Sequence, residues 1–212
     1  MNIIILGPQG SGKGTQAKLL AEKFGLYYFE MGSFLRELAK KNPEIDRIIN
    51  KEGKLLPDDL FFFAMKEFLQ EKISAGSKGM ILEGFPRTVK QYQMLKRWFD
   101  QEGIKIDKVI FLEISDEETV RRLSARRTCE KCGRVYNLIT NPPKAKNCEC
   151  GGKLVQREDD QPERIKVRLN VYRESTLPLL EIFKKDGVLE QVDGERPIEK
   201  IHQELVKIVK EN

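Results

Sequence analysis

Residues 7–15 read GPQGSGKGT, and they follow the run NIIIL at 2–6. A β-branched, apolar run closed by glycine is the pattern of a buried strand. Beyond the loop, Ala17, Leu20, Ala21 and Phe24 recur at helical spacing over 13–24, and Gly25 ends the pattern. Strand, glycine loop and helix in that order suit a chain that binds phosphate. Glycines at 7, 10, 12 and 14 permit backbone geometries that side chains would block, so that amide groups converge on phosphate oxygens. The helix starting near Lys13 adds the positive end of its dipole, and Lys13 adds a point charge for β- and γ-phosphates. Gly10, Ser11, Gly12, Lys13, Gly14 and Thr15 are therefore the candidate phosphate-binding residues. The general pattern has Ser or Thr directly after the lysine; here Gly14 intervenes before Thr15. The competing reading is an ordinary glycine turn between a strand and a helix.

The alternation continues along the chain. Residues 26–29 read as a short strand, and 33–40 and 43–51 as short helices. The second of these has Asn42 as N-cap, Pro43 at its first helical position and Gly53 as its stop. Asp58 and Asp59 open a helix over 58–74. Strands are predicted at 79–82, 108–114 and 188–192, and helices at 88–99, 116–126, 161–184 and 198–210. Strands alternating with helices predict an α/β fold with a mostly parallel sheet. Residues 127–160 break the rhythm: their glycines, the NPP turn at 141–143 and short strand-like pieces predict a small β-rich insertion.

A chain of 212 residues, 40% of them hydrophobic, supports one well-buried core with small excursions. Its net charge of +5 is a small excess of 38 basic over 33 acidic residues. That balance asks for no nucleic acid; a basic groove for small phosphates accounts for it. The apolar run 3–6 is too short for a signal-peptide core or a membrane span, so a cytoplasmic protein with no membrane partner is expected.

Two further stretches carry chemistry. In ILEGFPRT at 81–88, Glu83 ends a buried strand at the sheet edge where the phosphate loop lies. There it could hold Mg²⁺ through its water shell, while Arg87, behind the rigid Pro86, could clamp phosphate. Taken alone, the run fits a turn equally well. Cys129-x-x-Cys132 and Cys148-x-Cys150 offer four thiolates, the number a closed tetrahedral Zn²⁺ site needs. The second pair is one residue short of the common spacing, and four reduced thiols or one disulfide is the alternative. With four protein ligands the metal would be structural, since no position stays open for chemistry.

Taken in order, these runs resemble the adenylate kinase family over essentially the whole chain. GPQGSGKGTQA, with its extra glycine after the lysine, looks like the signature loop of these nucleoside monophosphate kinases, and LEGFPRT like their second signature. RRLSARR resembles the arginine segment before the lid, CGRVYNLITNPPK the lid hairpin, REDDQPERIKVRL the return into the core, and VDGERP the adenine-side loop. The resemblance implies a P-loop NTPase-like three-layer α/β fold with a five-stranded parallel sheet. It divides the chain into a core (1–29, 60–126 and 161–212), a helical monophosphate-binding insertion (30–59) and a zinc-binding lid (127–160).

It also implies the reaction ATP + AMP ⇌ 2 ADP with Mg²⁺. Gly10, Gly12, Lys13, Gly14 and Thr15 would bind the ATP phosphates. Met31, Gly32, Arg36 and Gly84 would line the AMP site, with Arg36 and Arg87 on its phosphate and Gln91 reading the base edge. Arg122 and Arg126 match the arginines at the ATP and transferring phosphates, and Arg157 and Arg168 those that close over the reaction centre. Asp159 and Asp160 match the acidic pair at the lid hinge, and Arg196 lies in the loop near the ATP base. Such a reaction needs two polyanions held in line and the migrating charge neutralised, and no general base. Three residues depart from the family's habit: Met31 replaces Thr, Ser33 replaces Asp, and Glu83 replaces the Asp of the DGFPR run.

Small nucleotides are the implied partners; a monomer is favoured, with an oligomer left open. One alternative is a kinase of the same fold taking UMP or CMP as acceptor, or GTP as donor. Another is a nucleotide-switched module whose cysteine element is a zinc ribbon touching nucleic acid. The missing basic–aromatic stripe argues against that module, as does retention of Arg36, Arg87 and Gln91, which only an acceptor site needs.

Overall fold

A computed structural model of the chain describes residues 1–52, 56–74 and 76–211. Gly53, the expected stop of the 43–51 helix, lies outside them. The strands among these residues are β1 (Asn2–Leu6), β2 (Tyr27–Glu30), β3 (Met80–Glu83), β4 (Lys108–Glu113), β5 (Arg126–Cys129), β6 (Val135–Asn137), β7 (Leu154–Val155) and β8 (Leu189–Asp193). The helices are α1 (Lys13–Phe24), α2 (Met31–Lys41), α3 (Pro43–Asp46), α4 (Asp58–Ser74), α5 (Val89–Gln101), α6 (Asp116–Ser124), α7 (Pro162–Ser175), α8 (Pro178–Lys185) and α9 (Ile198–Lys210).

Five strands pair in the order β2-β3-β1-β4-β8, every pairing parallel. Successive side chains of a strand point to opposite faces, and the central strand shows the consequence. Ile3 and Ile5 join Ile81, Ile110 and Leu112 in an apolar cluster with Ala17 and Leu20 of α1 and Ile201 and Leu205 of α9. Ile4 and Leu6 enter the opposite cluster with Leu82, Val109 and Phe111, covered by Phe61 and Met65 of α4, Leu95 and Trp98 of α5, and Phe183 of α8. Helices thus cover both faces, which is why β1 reads as an unbroken apolar run. Each fully buried Ile or Leu there stabilises the fold by roughly 1.5–3 kcal/mol. The expected three-layer α/β architecture is the one observed. A second, antiparallel sheet of three strands, β6-β5-β7, projects from the end of α6.

Three elements differ from expectation. The 43–51 segment starts as drawn, with the Asn42 side chain accepting from the amides of Glu44 and Ile45, but continues after α3 as a π turn, Arg47–Lys51. There the Glu52 amide reaches back to the carbonyl of Arg47, and Ile48 and Ile49 pack on the apolar cluster beneath. The 116–126 helix stops at Ser124, because the small sheet takes its last carbonyls. Asn137 Nδ2 donates to the carbonyl of Arg122 and the Leu138 amide to that of Ala125, so Arg126 begins a strand. The 161–184 helix breaks into α7 and α8. Pro178 has no N–H to continue the ladder, and Thr176 and Leu177 both turn their amides to Tyr172.

Candidate functional site

The loop after β1 opens at the C-terminal edge of the sheet, where β1 lies between β3 and β4. Its first glycine is there for proximity. A Cβ on Gly7, whose φ is +146°, would lie 2.3 Å from the carbonyl oxygen of Leu112 and 2.8 Å from Ser11 Oγ. Ser11 is accordingly buried, its hydroxyl without a hydrogen-bond partner among the described residues, so the loop offers its backbone there. Gly10 and Gly12 also take positive φ, whereas Gly14 sits in the first turn of α1. Lys13 folds back over the loop, its Nζ donating to the carbonyls of Gly7 (2.9 Å) and Pro8 (2.8 Å).

This loop forms one wall of a cleft of about 2190 Å³. Every residue expected at a nucleotide or its magnesium lines that cleft, with Gly84 excepted. Gly84 contributes instead by accepting from Arg87 Nε at 2.9 Å. Met31 is 2% exposed and joins the apolar cluster with Leu35 and Phe61, so the Thr-to-Met departure puts a sulfur chain into the wall rather than a polar group into the pocket. Arg36 is held by Glu30 Oε1 (3.1 Å) and Ser33 Oγ (2.8 Å). Gln91 is clamped from both ends: its Oε1 accepts the Arg87 amide at 2.7 Å and its Nε2 donates to Asp58 Oδ1 at 2.8 Å.

The remaining arginines approach from the other side. Arg122 is buried on α6 between Glu118 and the carbonyl of Gly10. Arg126 makes a two-pronged contact with the fully buried Asp160. Arg168 reaches Asp159 Oδ2 at 3.0 Å and Asp160 Oδ1 at 3.5 Å, and Arg157 Nε donates to Thr128 Oγ1 at 2.9 Å. Arg196 pairs with Glu204 at 2.7 Å on the rim. Arg121, on the solvent face of α6, is engaged by Glu118.

The four cysteines converge. Their sulfurs all lie within 4.8 Å of one another, with Cys129–Cys150 at 3.5 Å and Cys132–Cys148 at 3.6 Å. Four soft thiolate donors in one cluster suit tetrahedral zinc. The approach depends on Gly152, where a Cβ would stand 2.5 Å from Cys129 Sγ. Hydrogen bonds to sulfur favour the thiolate at two of the four: Tyr136 is the largest of the influences that draw Cys148 down to about 6, and the Cys132 amide the largest of those lowering Cys129. At Cys132 the Arg134 amide is outweighed by contacts with the other thiols, which push it up to about 12.

A family profile described as adenylate kinase matches residues 5–188 of the chain. The chain belongs to the adenylate kinase family. Relatives carrying that name include one from Archaeoglobus fulgidus, 42% identical over 214 residues that cover 99% of this chain and 98% of the relative. One from Methanothrix thermoacetophila has the same identity and coverage, and one from Thermotoga petrophila is 40% identical over 98% of this chain and 96% of its own length. Among the described residues, no helix is long and apolar enough to cross a membrane.

Within this adenylate kinase fold the cleft's electrostatics follow from burial. Burial draws Lys13 from the ordinary 10.5 down to about 8; Glu83 opposes the shift and Arg87, Arg168 and Arg126 add to it. Burial also raises Glu83, with Lys13 opposing and Glu30 reinforcing; a cation bound beside it would oppose that rise. Arg87 and Arg157 are each lowered to about 10, chiefly by burial, and still carry their charge at neutral pH.

Between about pH 8 and 10.5 the folded chain holds fewer protons on Lys13 than the unfolded one. The stability deficit of burying that cation is therefore full below pH 8 and fades as pH rises towards 10.5. Activity moves the other way, because the cation is what phosphate needs. We expect kcat/KM for ATP, which reports the free enzyme, to fall above about pH 8, while kcat holds to higher pH because bound phosphates keep Lys13 charged. Profiles from about pH 6 to about pH 10 test this, and a parallel fall in both quantities would count against it.

Sequence reasoning missed three partners. Glu30 stands opposite Glu83 in the β2–β3 register, and the strand-end argument that picked Glu83 applies to it equally. Asp58, read as a helix opener, also holds Gln91 and Thr88. Thr128 seats Arg157, for which the sequence carries no signal. His202 does not line the cleft.

Proposed function

We propose that the chain catalyses reversible transfer of the terminal phosphoryl group of ATP to AMP, giving two ADP, in adenine-nucleotide homeostasis in the cytoplasm. The observation that carries this reading is the convergence of Lys13, Arg36, Arg87, Arg122, Arg126, Arg157 and Arg168 on one cleft at the C-terminal edge of the sheet. A nucleotide-binding switch needs cations for one polyphosphate. A transferase needs them for two, plus the migrating group between them.

In this reading the loop amides and Lys13 hold the β- and γ-phosphates of ATP, exchanging the carbonyls of Gly7 and Pro8 for phosphate oxygens. Arg36 and Arg87 hold the AMP phosphate, and Gln91 reads the base edge with the donor and acceptor its two clamps leave over. Arg122 and Arg126 bind the ATP side, Arg157 and Arg168 gather the transferring group, and Arg196 lies by the ATP base. Glu83, a half-buried carboxylate beside Lys13, fits the water shell of Mg²⁺, which when bound would neutralise charge between the β- and γ-phosphates.

Water left in the site would hydrolyse ATP, so residues 127–160 act as a lid and residues 30–59 as the acceptor-binding insertion, each closing on the core before transfer. Structural zinc on Cys129, Cys132, Cys148 and Cys150 keeps the lid folded. The protein acts as a monomer on small nucleotides.

A coupled assay with Mg-ATP and a panel of AMP, UMP, CMP and GMP tests the proposal, with GTP as the alternative donor. ADP is expected to accumulate with AMP at least about tenfold more efficiently than with any other acceptor. If no ADP forms with AMP above the no-acceptor background, the reading is wrong.

A further inference from the structure

The shortened half of the cysteine centre raises a question of hydrogen bonding. Four thiolates around one Zn²⁺ leave a net negative charge, and buried sulfurs need donors to disperse it. In the two-residue spacing of the first half, Cys129 has both: the amides of Lys131 and Cys132 point at its sulfur. At Cys148 the amide of Cys150 does the same. The next amide along, that of Gly151, is turned away to the carbonyl of Cys148 at 2.7 Å, because the tighter turn closes one residue early. Water does not fill the gap readily, since Cys148 is 4% exposed.

One side chain stands where the second donor is missing. Tyr136 of β6, itself 7% exposed, places its hydroxyl 3.4 Å from Cys148 Sγ. A metal-bound thiolate carries no proton, so the hydroxyl must be the donor. Arg134, two residues earlier on the same face, is engaged by Glu149, the single spacer residue between the paired cysteines.

We propose that Tyr136 is a positioning residue of the metal centre, its hydroxyl giving Cys148 the hydrogen bond that a two-residue spacer would have supplied from the backbone. The inference rests on the zinc reading above. It makes the one-residue spacer tolerable, and it explains a buried phenol in so small an apolar cluster, where a phenylalanine would pack as well.

Four proteins separate this from simple ring packing: the wild-type chain, Tyr136→Phe, a chain with one lysine inserted between Glu149 and Cys150, and the combination. Each is loaded with zinc, and affinity and release rate are read by competition with a chromophoric chelator. Tyr136→Phe keeps the ring and should lose about tenfold or more in zinc affinity. The insertion restores a second amide, so in that background the same substitution should cost no more than about twofold. Wild-type affinity in Tyr136→Phe overturns the inference, and so does an equal loss in both backgrounds. If the inserted chain does not fold, the cobalt-substituted wild type and Tyr136→Phe are compared instead. A thiolate-to-metal charge-transfer band that shifts on loss of the hydroxyl supports the inference; an unchanged band overturns it. Absence of zinc from the wild-type chain after metal-replete expression is a separate result, which removes the zinc reading itself.

Discussion

Replacing Lys13 with methionine is expected to lower kcat/KM for phosphoryl transfer by about 10³-fold or more while leaving the fold standing. The ammonium is the one cation carried by the phosphate loop itself, and it already rests on the carbonyls of Gly7 and Pro8, where phosphate oxygens would take their place. Methionine matches the unbranched stem and removes a cation whose burial is unfavourable, as its lowering to about 8 records. Stability should change little, since the desolvated cation goes together with its two carbonyl hydrogen bonds and packing is kept. Steady-state kinetics and thermal melts on the same preparation check both halves. Near-normal turnover in a folded variant would remove the loop from the reaction.

With zinc at the cysteine centre, as proposed, the second large effect is expected on stripping it with a chelator. The small sheet has one buried cluster, Cys129, Tyr136 and Cys148 with Leu154 against it. At roughly 1.5–3 kcal/mol for each large side chain, that burial is small beside about 1–2 kcal/mol of backbone entropy for each residue ordered. A structural zinc contributes on the order of 10 kcal/mol, enough to decide the balance. Metal removal should thus melt residues 126–155 locally and abolish transfer, while the parallel sheet stays intact. Hydrogen exchange reads this directly: amides of β5 and β6 lose protection and those of β1 and β4 keep it. Retained protection in β5 after zinc is shown to be gone would contradict the account.

Much of this is legible in the sequence alone. The apolar run 2–6 read as a buried strand, and of the four loop glycines those at 7, 10 and 12 take positive φ while Gly14 lies in α1. The arginines at 87, 122, 126, 157 and 168 drew meaning from their motifs, and all five reach one cleft. Element ends were less legible, because they were settled by partners far away in sequence. Arg126 left its predicted helix for β5 when Asn137 and Leu138 captured the last turn of α6. The 161–184 helix broke where Thr176 Oγ1 donates to the carbonyl of Arg87, a contact across 89 positions.

The sequence by itself determined the family: a glycine loop between strand and helix, arginines set in the family's order of motifs, and four cysteines within one short segment. Those follow from residue type and local spacing, on which backbone geometry and ligand preference act directly. Tertiary structure alone decided which cations are held in reserve and by whom. Asp160 is fully buried between Arg126 and Arg168, Glu30 restrains Arg36, and Tyr136 sets its hydroxyl 3.4 Å from Cys148 Sγ. Each is a pairing between elements, and its strength comes from burial and distance, quantities that exist only once the chain has folded.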